Sequence, residues 1–204
     1  AADHTTALLA QHVADWRTLS GTLYALQQTN SGYTIISIGT NATPNTLATI
    51  PGMLQPKLLP SPSAILTILD TQQHMLTLVA IGSSPIRTVS YHNATFATWN
   101  GQGTDLVFGN AVELLTVHRP LQEALVQTIT RAAVGFVGAS WLGDTPYLLV
   151  SQQSGVKIYE AAFGSPYQSY TVIASPQRDA VLFNKGGDAL FLDSSGTLAS
   201  LPLF

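Results

Sequence analysis

Pro146-Tyr147-Leu148-Leu149-Val150-Ser151-Gln152-Gln153-Ser154-Gly155-Val156-Lys157-Ile158-Tyr159 is the stretch on which the fold turns. Two apolar runs of strand length flank Ser154-Gly155, where glycine supplies the positive φ of a tight hairpin turn at no Cβ cost. Leu, Val, Ile and Tyr suit a pleated, half-buried surface. One period later the same grammar returns in Asp188-Ala189-Leu190-Phe191-Leu192-Asp193-Ser194-Ser195-Gly196-Thr197-Leu198. Each hairpin follows an aromatic residue and a short polar turn: Trp141 in the first case, Phe183 in the second.

Working outward, Trp99 and Trp141 stand 42 residues apart, as do Trp141 and Phe183, while Trp16 lies 83 residues before Trp99. The missing copy falls near Leu59, ahead of Ala64-Ile65-Leu66-Thr67-Ile68-Leu69, without the aromatic. Ser31-Gly32 supplies the turn of the first copy, and Asn110, tolerant of left-handed backbone, that of the third. Gln72-Gln73-His74 occupies the position in the second, where the sequence offers no clear turn chemistry. An outer strand follows each of the first four hairpins after a Gly or Pro break, at Thr46–Ile50, Ile86–Tyr91, Glu123–Thr130 and Tyr167–Ala174. Pro120–Ala133 also has good helix formers after an N-terminal Pro, yet its place in the repeat makes it an outer strand.

Five segments of about 41 residues spanning residues 1–204 predict one all-β domain, a five-bladed β-propeller with landmarks at Trp16, Leu59, Trp99, Trp141 and Phe183. The last copy lacks an outer strand. Thr5–Leu9, completing that blade against Leu198–Leu203, is the simplest closure. A β-sandwich, with strands at similar spacing, is the competing architecture. Ala139-Ser140-Trp141-Leu142-Gly143-Asp144 through Gly155-Val156-Lys157-Ile158-Tyr159 resembles the WD-repeat type of β-propeller, without the Gly-His and Trp-Asp dipeptides of true WD repeats. The resemblance implies the architecture alone.

Composition narrows the function. The chain is 46% hydrophobic and only 9% charged, with net charge −3 and eight Lys and Arg, so it has no basic footprint for nucleic acid. Its apolar runs are too short for a transmembrane segment. The absence of cysteine removes thiolate nucleophiles and Cys-based zinc sites. The Thr/Ser/Asn/Gln-rich style suits an extracytoplasmic or secreted protein, with no signal peptide visible at Ala1-Ala2-Asp3-His4. A larger anchored protein containing this chain fits the same reading.

No residue set reads as catalytic. Asp105, Asp144 and Asp188 fall at similar points after the landmark aromatics, where Asp caps backbone N–H groups in turns. A glycoside hydrolase would need a carboxylate pair facing the central channel, and the inner-strand stretches Asn93–Thr98 and Val134–Ser140 carry none. The histidines His4, His12, His74, His92 and His118 form no HxH or HxxxH pair, so no metal site is expected, nor any cofactor. The in-phase aromatics suit inter-blade packing; a lectin with one sugar site per blade is the alternative.

What remains is the loop face. His12, Lys57, His92, Arg131 and Arg178 fall there, with Gln11, Asn30, Gln55, Gln73, His74, Gln152, Gln153 and Gln177. Loops on a rigid scaffold are the default binding surface. The expected function is therefore a non-catalytic interaction module, its partner a protein or a surface glycan. Its positive groups converge while the carboxylates lie elsewhere, and Arg131 and Arg178 carry most weight.

Overall fold

The structure, a computed structural model, describes residues 9–40, 42–131, 135–163, 168–173, 182–183, 188–192 and 198–202. Every element is a strand, and every pairing is antiparallel between neighbours in sequence. The first sheet holds β1 (Val13–Leu19), β2 (Thr22–Thr29), β3 (Gly32–Ile38) and β4 (Pro44–Pro51). The second holds β5 (Pro56–Leu59), β6 (Ile65–Asp70), β7 (Met75–Ala80) and β8 (Thr88–Tyr91). The third holds β9 (Phe96–Trp99), β10 (Asp105–Gly109), β11 (Glu113–His118) and β12 (Leu125–Arg131). The fourth holds β13 (Phe136–Trp141), β14 (Tyr147–Gln152), β15 (Gly155–Glu160) and β16 (Ser169–Ile173). A three-stranded sheet follows, of β17 (Leu182–Phe183), β18 (Asp188–Leu192) and β19 (Leu198–Pro202). The 120–133 stretch is thus a strand, its helix formers overridden by pairing with β11. The expected closure rests on Thr5–Leu8 and Leu203, which lie outside the described residues.

Strands β6, β7 and β14 are buried on both faces, so their sequences run largely apolar without strict alternation. Three apolar clusters result, each bridging two successive sheets. Leu26, Tyr33 and Ile35 meet Leu58, Ile68 and Val79; Leu69, Leu76 and Leu78 meet Leu106, Phe108 and Val117; Val107, Leu114 and Ile129 meet Trp141, Leu148 and Val150. A fourth cluster, Ala25, Ile36 and Ile38 with Ala10 and Leu23, draws only on the first sheet and the segment leading into it.

First strands lie beside one another, β1 against β5, β9 against β13 and β13 against β17. Polar groups fix the register between them. Asp15 Oδ2 accepts from Leu58 N at 2.7 Å, and Arg17 donates to Leu58 O at 3.3 Å. Trp141 Nε1 donates to Thr98 O at 3.3 Å, and Trp99 Nε1 to Thr67 Oγ1 at 2.8 Å. Trp16, Trp99 and Trp141 are equivalent in register, opposite Ala25, Leu106 and Leu148 on the second strand of their sheets.

The hairpin turns are made in different ways. Gly32 has φ +140°, and a Cβ there would meet Ile50 O at 2.6 Å. Any side chain would therefore press on the β3–β4 ladder. Gly32→Ala is expected to cost about 2 kcal/mol, readable as a lower urea midpoint at unchanged m-value. Asn110 does not use left-handed backbone as expected. Its side-chain carbonyl accepts from Val112 N at 2.8 Å and Glu113 N at 3.1 Å, closing the turn from the side chain.

The turn after β6, unreadable in sequence, is built by Asp70. Its side chain is fully buried and accepts from Gln72 N and Gln73 N at 3.0 Å, from Leu54 N at 2.6 Å and from Gln55 N at 3.3 Å. Burial alone would push this carboxyl up, but the four donors outweigh it and hold it below its ordinary 3.8. His74, at φ +53°, completes the turn.

Candidate interaction face

One end of the sheets carries the hairpin turns between second and third strands, together with the segments that lead from each sheet to the next. Backbone hydrogen bonds tie these two sets of loops together. Gly52 N, Ala94 N and Phe136 N donate to the turn of the preceding sheet, at Ser31 O (3.3 Å), His74 O (2.8 Å) and Ala111 O (3.1 Å). Within one sheet, Gln28 N donates to His12 O at 2.9 Å, Thr71 N to Gln55 O at 3.1 Å and Gln153 N to Gly135 O at 3.0 Å. Gln73 Nε2 adds a bond to Gly52 O at 2.7 Å. The connecting loops are therefore pinned on both sides, and their side chains project from fixed backbone.

His12 sits immediately before β1 with φ +55°, exposed, its carbonyl held by Gln28. His92 is exposed in the segment between β8 and β9. Arg131 ends β12, and its Nε donates to Glu113 Oε1 at 2.5 Å. Lys57 is exposed but lies within β5, on a first strand rather than in a connecting loop. Arg178 and Gln177 lie outside the described residues.

Two expectations are corrected by these positions. Carboxylates do not avoid the patch: Glu113, opening β11, pairs with the exposed Arg131 and offsets its field. Gln152 is not a surface group; it is 1% exposed at the end of β14, and its amide donates to Tyr159 Oη at 2.7 Å. Burial pushes the Tyr159 phenol up, and the bond from Gln152 works against that.

The opposite end of the sheets shows what the sequence reading did not reach. Asp105 does not cap backbone N–H groups there. Its carboxylate takes His118 Nδ1 at 2.6 Å on one oxygen, and Asn100 Nδ2 (2.7 Å) and Thr104 Oγ1 (2.8 Å) on the other. A separation of thirteen positions between Asp105 and His118 hides the pair in sequence, although both strand ends fall opposite each other in register. A cleft of about 290 Å³ runs from His118 past Trp141 to Asp144 and Phe163. The exposed Asp144 places a carboxylate oxygen over Gly101 of the neighbouring sheet. Asp188 belongs to β18, and its side chain lies outside what the structure describes. Among the described residues no three His, Asp or Glu side chains converge to hold a metal. No helix of the described residues is long and apolar enough to cross a membrane.

Separate four-stranded antiparallel sheets, packed face to face with their first strands adjacent, define a β-propeller. Solved structures agree. The chain is similar to Kluyvelomyces marxianus Hsv2, with TM-score 0.68 and 11% identity over 96% of this chain and 61% of that one. It is similar to the Cps50 (Swd1) β-propeller domain of Myceliophteria thermophila, with TM-score 0.66 and 12% identity over 96% of this chain and 66% of that one. A Bacteroides fragilis protein assigned as a 6-phosphogluconolactonase is more distant, with TM-score 0.54 and 13% identity over 91% and 68%. Another similar structure is that of the RRP9 WD40 repeats. The fold is thus a propeller resembling the WD40 type, and the chain spans about two thirds of the length of these structures. No protein-family profile and no curated protein matches the sequence.

Proposed function

We propose that this protein is a non-catalytic interaction scaffold, its sheets serving as successive propeller blades. The docking surface would be the end that carries the connecting segments and hairpin turns. The observation that carries this reading is the double backbone anchoring of those segments, at Gly52, Ala94 and Phe136. Rigid backbone beneath exposed polar side chains lowers the ordering cost of association. His12, His92 and Arg131 are the groups assigned to contact a partner, with Lys57 and Arg178 as further candidates. A protein outside the cytoplasm is the partner class favoured, the compartment resting on composition alone; a surface glycan is the other.

The test is a triple variant, His12→Ala, His92→Ala and Arg131→Ala, screened beside the parent on extracellular-protein and glycan arrays. The expected result is protein binding by the parent, weakened about tenfold or more in the variant, with the melting temperature unchanged because these side chains are exposed. Glycan binding without protein binding would favour the lectin reading. Equal binding by parent and variant would remove this face from the function.

A second reading rests on the opposite cleft, where Asp105 and Asp144 both line the space beside His118. If this were a hydrolase site, a chromogenic glycoside screen would give turnover that Asp144→Asn abolishes.

A further inference from the structure

Trp99 and Trp141 are each covered by the sheet before them. Their indole N–H groups end on that sheet, at Thr67 Oγ1 and Thr98 O. Trp16, their equivalent in register, has no such cover among the described residues and is 61% exposed. Around it Val13 and Leu9 are also exposed, and with Leu23 and Ile38 they line an apolar hollow of about 330 Å³. Asp15 and Arg17, its chain neighbours, point the other way and bind Leu58 of the second sheet. The two sides of β1 are therefore unlike: one is a finished inter-sheet contact, and the other has the residues of such a contact without the partner. The cluster of Ala25, Ile36 and Ile38, which among the described residues draws only on the first sheet and the segment leading into it, lies on the unfinished side.

We propose that this face is the seat of a further propeller blade, contributed by polypeptide outside these 204 residues. The chemistry of the occupant is given by the two finished contacts. It is an antiparallel sheet whose first or second strand offers a Thr hydroxyl or a main-chain carbonyl to Trp16 Nε1, within a layer of Leu and Ile side chains. The lengths agree, since 89–98% of this chain matches structures of which it spans only 60–69%.

Two measurements test this. In the 204-residue chain, Trp16→Ser is expected to leave the melting temperature unchanged, while Trp99→Ser lowers it strongly. Acrylamide should quench one tryptophan class readily, and Trp16→Phe should remove that class. A loss of stability from Trp16→Ser as large as that from Trp99→Ser would mean that the chain covers the face itself, and would overturn the proposal. The second measurement adds a blade. A duplicate of residues 54–95, the unit that precedes Trp99, is joined directly to Val13. In this longer protein Trp16 should become protected from acrylamide, and Trp16→Ser should now lower the melting temperature. A folded extension that leaves Trp16 as quenchable as before overturns the proposal. So does a concentration-dependent dimer of the 204-residue chain that Trp16→Ser abolishes, since the occupant is then a second copy.

Discussion

Replacing Asp70 with Ala is expected to lower stability by about 3 kcal/mol or more, among the largest effects of any single polar substitution in the chain. The carboxylate is fully buried and is the acceptor for four backbone N–H groups on two separate segments. Removing it leaves those donors short of partners, and each buried unsatisfied donor costs about 1–3 kcal/mol. Part of the loss is recovered if water enters, so the sum is not additive. Asp70→Asn keeps one acceptor oxygen and should cost less. The acid dependence follows from the same bonds. The folded protein holds this carboxyl below its ordinary 3.8, so the stabilisation is complete above the unfolded value of about 4 and fades as pH falls through the lowered folded one. Urea titrations at stepped pH should show the parent weakening across that range. The Asn variant, starting lower, should show a flatter acid limb; an unchanged limb would mean that Asp70 is not the group responsible.

Trp141→Ala should be comparably damaging, at about 3–5 kcal/mol. The ring is 7% exposed and sits in the cluster that joins the third and fourth sheets. Truncation leaves a cavity between two sheets whose strands are fixed by their own ladders, so little collapse is available to fill it. Trp141→Phe keeps most of the apolar contact and loses the bond to Thr98 O, so about 1–2 kcal/mol is expected. Chemical denaturation of both variants, with m-values compared, distinguishes a weakened but intact sheet stack from one in which the fourth sheet has detached.

The period of the sheets was legible because it is written in large, local signals. Tryptophans 42 residues apart and Ser-Gly pairs between apolar runs need no knowledge of distant contacts. The turn at Asp70 was not legible. Its geometry comes from a side chain that also accepts from Leu54 and Gln55, and a turn without glycine gives no sign of a donor 15 or 16 residues upstream. Arg131 looked unpaired for a similar reason, since Glu113 reaches it only through the β11–β12 register. Gln152 misled because its amide, flanked by Gln153 and Ser154, reads as turn chemistry, whereas Tyr159 across the hairpin supplies the partner that permits burial. The exposed state of Trp16 was equally hidden. Its place in the repeat matches that of Trp141, and none of the described residues gives it the cover that the third sheet gives Trp141.

The backbone bonds that run from each connecting segment to the turn behind it have a consequence for how the molecule opens. They join neighbouring sheets and no others, so cooperativity passes along the chain as in a row of nearest-neighbour units. Amide exchange should then be graded by position: slowest in β6, β7, β10 and β11, which are flanked on both sides, and, if the face of Trp16 is open as proposed, faster in β2 and β3. A weakened second sheet would release protons early from the first and third while leaving β14 and β15 protected. If the face of Trp16 is open as proposed, mild denaturant should fray the protein from that side inward, sheet by sheet, before it unfolds as a whole.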